Sequence, residues 1–138
     1  MPLRDSFFRA VFNSRVAGIA VGDVSTRQIT ATNAEMLRIL GRTADEVHGG
    51  SDRWREFTPA EHHHLDEAAM KQFIETGRAD PFEKEYVRQD GSRVPVRISV
   101  SGVEGEPDRL LVFAQDISGE QAAREREREV QKRLELLE

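Results

Sequence analysis

The chain contains no cysteine, and that absence removes several kinds of chemistry. Disulfide bonds, zinc–thiolate centres and thiol nucleophiles all require this residue. Long apolar runs are missing as well, because none approaches the roughly 18 residues that a membrane-spanning helix needs. The amino terminus shows no pattern of a secretory signal. We therefore expect a cytoplasmic protein without direct membrane contact.

A surplus of basic residues is also absent. The 138 residues carry 20 Lys and Arg against 25 Asp and Glu, which gives a formal net charge of −5. Such a chain lacks the basic surface with which proteins bind a phosphate backbone, so nucleic acid is not an expected partner. The hydrophobic content of 38% is sufficient for the core of one domain.

Enzyme motifs are missing too. The glycines form no phosphate-binding loop, and no nucleophile-elbow or metal-hydrolase spacing occurs. His62, His63 and His64 are adjacent, but successive residues on a helix point about 100° apart and cannot converge on one metal ion. Pairs at i,i+4 spacing, such as His62 with Asp66, would form only weak two-residue sites. We expect neither an enzyme nor a metal site, with a histidine-based metal hydrolase as the alternative.

The first part of the chain alternates between strand and helix patterns. Asn33 is suited to cap a helix that Gly41 would end, and Thr43 with Glu46 has the spacing of a capping box. The predicted elements are a short amphipathic helix over residues 5–14, strands over 16–23 and 28–32, a helix over 34–40, and a short helix after Thr43.

A longer helix is predicted next. Thr58 and Glu61 form a second capping-box pattern with Pro59 at the first helical position, and this helix should end near Thr76 before Gly77. Three strands then fill residues 82–116, with a hairpin loop at residues 102–105. Two strands, several helices and a three-strand meander predict one five-stranded antiparallel sheet with helices over one face, an α+β fold.

Six short segments become informative through their order and spacing. They are residues 12–14, 33–43, 46–49, 57–59, 83–92 and 116–118. Together they resemble the PAS family of sensory domains over residues 7–118. The resemblance implies dimerisation, often a small ligand held between sheet and helices, and a carboxyl-terminal helix leading to an effector such as a histidine kinase or a diguanylate cyclase.

The end of the last predicted strand passes directly into a charged helix. Ser118 and Gln121 have capping-box spacing, and the Asp116 carboxylate is placed to pair with an arginine and fix the angle between strand and helix. This segment resembles the junction between PAS cores and signalling helices. The alternative is that Asp116 only caps the helix. The predicted signal junction consists of Asp116, Ile117, Ser118 and Gln121.

The helix after the junction interleaves acidic and basic side chains and would be marginal without a partner. Apolar residues follow heptad spacing along it, with Glu127 as an interruption, which predicts the first turns of a parallel coiled coil. We expect a homodimer in which the amino-terminal helix also takes part. The candidate dimer residues are Phe7, Phe8, Val11, Val130, Leu134 and Leu137.

A ligand, if the domain holds one, should contact the helix that follows Pro59. His62 lies on the apolar stripe of Leu65, Ala69 and Phe73, so it is the histidine expected to face a ligand. Trp54 is expected in the core or in a pocket wall. The predicted pocket residues are Met36, Leu37, Leu40, Trp54, His62, Phe73, Val96, Ile98 and Val112.

The cofactor is left open by the sequence. Some PAS domains bind haem through a histidine on this helix, and His62 is the candidate here, although an inward histidine more often serves as a hydrogen-bonded core residue. The flavin photochemistry of light-sensing relatives depends on a cysteine, and its absence excludes that reaction. Noncovalent flavin binding remains open.

The sequence thus predicts a PAS-type domain over residues 5–118 and a signalling helix over residues 119–138. Its expected function is to relay ligand or partner binding through that helix to a carboxyl-terminal effector. The alternative is a constitutive dimerisation module with the same fold, a filled core and no ligand.

Overall fold

The computed structural model describes residues 3–137, with side chains from residue 5. Within that range, the predicted helices and strands follow each other in the predicted order. A short helix (Arg53–Glu56) and a 3₁₀ turn (Ala60–His62), neither of them predicted, precede the longer central helix. The elements are α1 (Leu3–Phe12), β1 (Gly18–Asp23), β2 (Ile29–Thr32), α2 (Ala34–Leu40), α3 (Ala44–Val47), α4 (Arg53–Glu56), α5 (His63–Thr76), β3 (Arg78–Val87), β4 (Arg93–Val103), β5 (Glu106–Asp116) and α6 (Ser118–Leu136).

The strands form one antiparallel sheet in the order β2-β1-β5-β4-β3. β3, β4 and β5 are the predicted meander, and β1 pairs with β5, which brings both amino-terminal strands into the same sheet. The predicted α+β fold, with a five-stranded antiparallel sheet and a helix at each end of the chain, is therefore confirmed.

The core lies between one face of the sheet and the helices α2 and α5. Val94, Val96 and Ile98 alternate along β4 and are no more than 2% exposed, while Met36 and Phe73 reach the same core from α2 and α5. Full burial of one such aliphatic or aromatic side chain stabilises the fold by about 1.5–3 kcal/mol. This face of the sheet is accordingly the main source of stability.

Asn33 starts α2 as predicted and also connects that helix to the sheet. Its Oδ1 accepts hydrogen bonds from the backbone amides of Met36 at 2.9 Å and Ile19 at 2.8 Å. One side chain thus caps the helix and holds it against β1.

Other helix ends also match the sequence. Thr43 and Glu46 form the predicted capping box at the start of α3. Gly41 and Gly77 follow α2 and α5 with φ angles of 62° and 84°, the left-handed conformation that glycine adopts without strain.

The capping box predicted at Thr58 is wrong. The chain there makes the 3₁₀ turn, and the Thr58 side chain does not cap it. The Thr58 hydroxyl instead accepts a hydrogen bond from Lys84 Nζ at 2.8 Å, and Glu61 pairs with Arg93. Lys84 and Arg93 of the sheet thus bind the two side chains that would otherwise form the local cap.

Strands β3 and β5 extend beyond their predicted ends. β3 starts at Arg78 rather than near residue 82, and β5 starts at Glu106 rather than at Leu110. β4 continues to Val103, so the predicted loop over residues 102–105 shrinks to a tight turn. In β5 the apolar alternation stops before the strand does, because backbone pairing continues through the exposed residues 106–109. In β3 the added residues Arg78 and Ala79 pair with Ser101 and Val100 beyond a register shift.

Helices α1 and α6 carry exposed apolar side chains. Phe7, Phe8 and Val11 on α1 are 71%, 48% and 38% exposed. Over its described length α6 has no buried residue, and Val130 and Leu134 are 56% and 54% exposed. Among residues 3–137, no helix has the length and apolar character needed to cross a bilayer.

Candidate functional site

A cavity of about 80 Å³ lies between α5 and the inner face of the sheet. Ile98 and Val112 form its wall on β4 and β5, and Met70 and Phe73 form its wall on α5. A cavity of this size has room for roughly five waters or one small organic molecule. Most of its lining is apolar, so an organic molecule suits it better than a cluster of waters.

Two aromatic side chains form another part of the cavity lining. The rings of Trp54 and Tyr86 stack with centroids 6.0 Å apart and an angle of 24° between their planes. Tyr86 is fully buried, and no group within residues 3–137 makes a hydrogen bond with its hydroxyl. A buried hydroxyl without a partner costs roughly 1–3 kcal/mol. Burial raises the pKa of Tyr86 well above its usual 10.0, with a smaller contribution from Asp66, so this hydroxyl stays protonated.

A buried lysine lies against the same tyrosine. Lys84 Nζ is 4.6 Å from the centroid of the Tyr86 ring and 2.8 Å from each carboxylate oxygen of Asp66. A third bond of 2.8 Å runs to the hydroxyl of Thr58, so all three ammonium hydrogens have acceptors. Burial lowers the pKa of Lys84, and the Asp66 charge opposes that shift. The two partners differ in burial: the Lys84 side chain is 2% exposed and the Asp66 side chain is 24% exposed.

Charged side chains line the more exposed part of the cavity. Arg27, in the loop between β1 and β2, lies 3.9 Å from Asp52 and 3.5 Å from Glu67, and Arg55 lies 3.8 Å from the same glutamate. Each of these side chains is at least 31% exposed. Pairs of this kind contribute about 0–1 kcal/mol, so they can separate to admit a molecule at small cost.

The three adjacent histidines occupy different environments, and His62 does not have the predicted one. His62 accepts a hydrogen bond from the Glu85 amide through Nδ1 at 3.1 Å and is not part of the cavity wall. His63 lines the cavity instead, and its Nε2 lies 2.9 Å from the Thr58 carbonyl oxygen, to which it donates. His64 is exposed. The prediction failed because residues 60–62 form a 3₁₀ turn, which rotates side chains by about 120° per residue instead of 100°.

The junction between β5 and α6 is held by Asp116, although not through the predicted capping box. Asp116 Oδ1 accepts hydrogen bonds from the Ser118 amide at 2.9 Å and the Ser118 hydroxyl at 2.6 Å. Ser118 is the first helical residue, so its hydroxyl donates to Asp116 and does not pair with Gln121. Asp116 also lies 3.7 Å from Arg38 of α2. Arg38 is therefore the arginine partner that the sequence analysis expected for Asp116. Although burial opposes the shift, the Ser118 bonds and Arg38 lower the pKa of Asp116.

Ile117 fixes the same junction by burial. It is 2% exposed, and its amide donates to the Pro95 carbonyl at 3.0 Å. The Gln121 amide then donates to the Ile117 carbonyl at 2.9 Å, the first backbone bond of the helix. The chain therefore leaves the sheet at a defined angle.

An ion-pair network attaches the first turns of α6 to the outer face of the sheet. Arg97 of β4 lies 2.7 Å from Glu120 on α6 and 3.0 Å from Glu83 on β3, and Arg124 contacts both glutamates at 3.2 and 3.4 Å. Hydrogen bonds from Arg97 lower the pKa of Glu120 and of Glu83. We call these four residues the helix clamp.

The family model for the PAS domain matches residues 16–119 of the chain. The chain belongs to the PAS family. The match ends just after the junction, so it includes the cavity and the base of α6, and it confirms the resemblance seen in the sequence.

Known proteins agree with this assignment. The chain is 30% identical over 90 residues to the hybrid signal transduction protein dokA of Dictyostelium discoideum, which covers 65% of this chain and 5% of dokA. It is 27% identical to a PAS domain of an HTR-like protein from Haloarcula marismortui, covering 83% of this chain and 97% of that one with a TM-score of 0.62. A PAS domain from Colwellia psychrerythraea has a TM-score of 0.71 at 15% identity, covering 84% of this chain and 98% of that one. The chain thus spans a small part of this curated signalling relative.

The predicted pocket residues of this PAS domain divide between cavity and core. Trp54, Phe73, Ile98 and Val112 line the cavity. The structure places the other aliphatic candidates elsewhere, because α2 packs over β1 whereas the cavity lies beside α5. Those outside the cavity are Met36, Leu40 and Val96, which are fully buried in the core, and Leu37, which borders a shallow surface groove.

Haem does not fit this PAS domain as it is built. The cavity of about 80 Å³ is far below the roughly 300–1,000 Å³ of pockets for drug-sized ligands, and His62 is directed to a backbone amide of β3. Among the described side chains, no group of three or more potential ligands is arranged to hold a metal ion.

The polar residues of the cavity were missed by the sequence analysis. Lys84 and Tyr86 are two apart on β3 and share the inward face, since successive strand residues alternate. Glu83, Glu85 and Arg88 flank these residues, so the apolar alternation that marks an inward strand face is absent from the segment. The burial expected for the single tyrosine would have placed Lys84 inside as well, and a buried lysine requires a counter-ion such as Asp66.

Proposed function

We propose that this PAS domain is a sensory module of a signal-transduction protein. A small molecule in the cavity biases the position of α6, and α6 transmits that bias to an effector that lies carboxyl-terminal to it. The proposal rests on the two faces of β3 and β4.

The same strand segments serve the cavity on one face and α6 on the other. Lys84 and Ile98 point into the cavity side, while their neighbours Glu83 and Arg97 belong to the helix clamp on the outer side. A shift of either strand caused by an occupant of the cavity therefore moves the base of α6 directly. This arrangement is the observation that carries the proposal.

The mechanism is a shift between two arrangements of α6. An occupant changes the equilibrium only to the extent that it binds the two arrangements with different affinity. Asp116 and Ile117 fix the pivot, and the helix clamp supplies contacts that can be kept or broken. A small movement of the sheet is then amplified along the helix.

The proposed sensory role also suggests the binding partners of the domain. We propose a homodimer through α1 and α6, and an effector such as a histidine kinase or a diguanylate cyclase. Similarity to part of a hybrid signal transduction protein supports a signalling role. The domain itself is proposed to have no catalytic activity and to contact neither nucleic acid nor membrane.

Native mass spectrometry of the purified chain, compared with its denatured mass, tests the sensory role. A retained small molecule supports it, and its removal should change the hydrogen exchange of residues 118–126 at the base of α6. A mass without any retained molecule, and α6 exchange that no added small molecule alters, would contradict it.

A second candidate function is a constitutive dimerisation module. The exposed apolar residues of α1 and α6 favour it, because they offer surface for a partner whether or not the cavity is used. In that case the dimer would form with equal affinity in the presence and absence of any small molecule.

A further inference from the structure

We infer that the domain also responds to acidification, because protonation of His62 releases the start of α5 from the edge of β3. The segment concerned, residues 57–62, runs along that edge, and we call it the β3 strap. Acid is an input that requires no ligand, so this response goes beyond the proposed small-molecule role. Its basis is the opposite hydrogen-bonding roles of His62 and His63.

Two outward amides of β3 are bonded by the strap. β3 ends the sheet, and Glu85 lies opposite Pro95 of β4, whose carbonyl is bonded to the junction before α6. The Glu85 amide therefore points away from β4, and so does that of Val87 two residues on. The Val87 amide donates to the Phe57 carbonyl at 2.7 Å, and the Glu85 amide donates to Nδ1 of His62 at 3.1 Å. Each end of the strap thus satisfies one amide of the edge.

His62 can make its bond only while Nδ1 is unprotonated. A backbone amide can only donate, so Nδ1 accepts and the ring hydrogen lies on Nε2. Protonation adds a hydrogen to Nδ1, and two donors then face each other. The bond is lost, and the half-buried Glu85 loses the partner of its amide. Histidine side chains ordinarily change charge between about pH 5 and 8, which sets the range in which the response is expected.

His63 has the opposite role, although it is the next residue. Its Nε2 lies 2.9 Å from the Thr58 carbonyl and 3.0 Å from the Arg55 carbonyl. Both partners are acceptors, so Nε2 carries the hydrogen, and protonation of this ring at Nδ1 leaves that donor in place. Acid therefore breaks the contact of His62 and preserves the contact of His63.

Charged groups surround His62 on each element packed beside it. Glu61 lies on the same turn and pairs with Arg93 of β4, which also contacts Glu85 of β3 at 3.3 Å. Asp66 follows one turn later on α5 and is paired with the buried lysine of β3. The first two glutamates share one arginine, so their remaining negative charge favours a protonated ring. The charges beside the strap thus favour the form of His62 that cannot bond to β3.

The released end of the strap is the turn from which α5 begins. His62 immediately precedes the first residue of that helix. Asp66, Met70 and Phe73 on α5 belong to the cavity wall. Freed from β3 at its start, α5 can shift against the sheet, so acid alters the wall that a cavity occupant contacts.

Residue-resolved hydrogen exchange, measured by NMR on the full chain and corrected for intrinsic exchange, tests this response. We expect the protection of the Glu85 amide to fall about three- to tenfold between about pH 8 and 5, the value of one lost hydrogen bond. The Val87 amide is the internal control, because it is bonded to the Phe57 carbonyl and should keep its protection. Ring nitrogen shifts report the protonation of His62 directly.

His62→Asn is the matched variant, because its side-chain oxygen can take the place of Nδ1 and accepts a hydrogen bond without titrating. We expect the protection of its Glu85 amide to stay nearly constant between about pH 8 and 5. His63→Gln is the control, since its side-chain amide can replace the donor Nε2, and it should keep the pH dependence of the wild type. Thermal midpoints near that of the wild type at about pH 8 verify that both variants fold.

The wild-type titration decides the outcome even where a variant fails to fold. The acid response is overturned if His62 becomes protonated while the Glu85 amide keeps its protection, or if His62 stays neutral down to about pH 5. It is also overturned if Val87 loses as much protection as Glu85, if His62→Asn shows the wild-type decline, or if His63→Gln abolishes it. Each of these results leaves the sensory function standing, because that role is tested by a retained molecule and not by His62.

Discussion

Lys84 occupies a position in which its charge depends on one neighbour. Its side chain is 2% exposed, and Asp66 is the only carboxylate within salt-bridge distance among the described residues. Asp66 is 24% exposed and retains part of its hydration. Removing Asp66 should therefore cost more than removing Lys84. Without Asp66 the Lys84 charge stays in the core, whereas without Lys84 the Asp66 carboxylate can turn to water.

Asp66→Asn should destabilise the domain by about 3–5 kcal/mol, because it leaves the Lys84 ammonium buried beside a neutral amide. Lys84→Met should cost less, roughly 1–2 kcal/mol, since Asp66 can be hydrated and methionine fills the volume of the lysine stem. Urea unfolding followed by far-ultraviolet circular dichroism gives both values. The double variant should be more stable than Asp66→Asn alone, which identifies the buried charge as the cause.

The pH dependence of Asp66→Asn provides an independent check. Burial already lowers the pKa of Lys84 below its usual 10.5 in the folded protein, and loss of Asp66 removes the charge that opposes this shift. Between the lowered pKa of Lys84 in the folded protein and 10.5, the unfolded chain then binds more protons than the folded chain, so stability should rise with pH across that window. If Asp66→Asn lowers the free energy of unfolding by less than about 1 kcal/mol, the contribution typical of exposed ion pairs, this account of the Lys84–Asp66 pair is contradicted.

Helix ends show where sequence reasoning succeeds in this domain. Asn33 and Thr43 bond amides only a few residues away, so their spacing was sufficient to predict both caps. Thr58 and Ser118 have equally good spacing, but Lys84 and Asp116 engage them instead. A local pattern therefore predicts a cap only when no side chain from another element competes for it.

The candidate site was predictable to a smaller degree than the fold. Apolar residues with the correct periodicity were known to face inward, but periodicity cannot separate Ile98, which lines the cavity, from Val96, which packs in the core. Lys84 was missed because its burial depends on Asp66, which lies on a different element. The arginine partner of Asp116 was anticipated in kind, since a carboxylate at the sheet's end needs a cation, but Arg38 itself was not identifiable without the packing of α2.

At the scale of the element, Arg97 holds the base of α6. Arg97→Ala removes the contacts to Glu120 and Glu83 while leaving the core face of β4 unchanged. We expect the hydrogen-exchange protection of residues 121–126 to fall several-fold, with little change in the unfolding midpoint. Arg109→Ala is the matched control, because Arg109 also pairs with a glutamate on the sheet but lies away from α6.

Acid should reproduce the effect of Arg97→Ala. Hydrogen bonds from Arg97 lower the pKa of Glu120 and Glu83 below the usual 4.5. Carboxylates of this kind contribute their stabilisation above pH 4.5 and lose it as the pH falls through the lowered pKa. Protection of residues 121–126, corrected for intrinsic exchange, should decline below pH 4.5 in the wild type. A similar decline in Arg97→Ala would show that the clamp is not responsible.

At the scale of the whole molecule, two separate helices carry exposed apolar residues at opposite ends of the chain. Phe8 stacks on Phe12 with centroids 5.8 Å apart, yet Phe7 and Phe8 remain largely in solvent. Val130 and Leu134 lie on one side of α6, and Leu137, the residue that ends the helix, continues their heptad spacing. A helix as polar as α6 is marginal alone, and its apolar side supports our proposal that it packs against a second copy of the chain.

Val130→Asp should therefore weaken the proposed dimer by about tenfold or more, because it introduces a charge at the first position of that apolar side. Gln131→Asp adds the same charge about 100° away on the helix and should leave association nearly unchanged. Sedimentation velocity over a range of concentrations measures both variants against the wild type. A wild-type chain that remains monomeric at high concentration would refute the dimer, whereas equal weakening by both variants would indicate general charge repulsion and not a specific α6 interface.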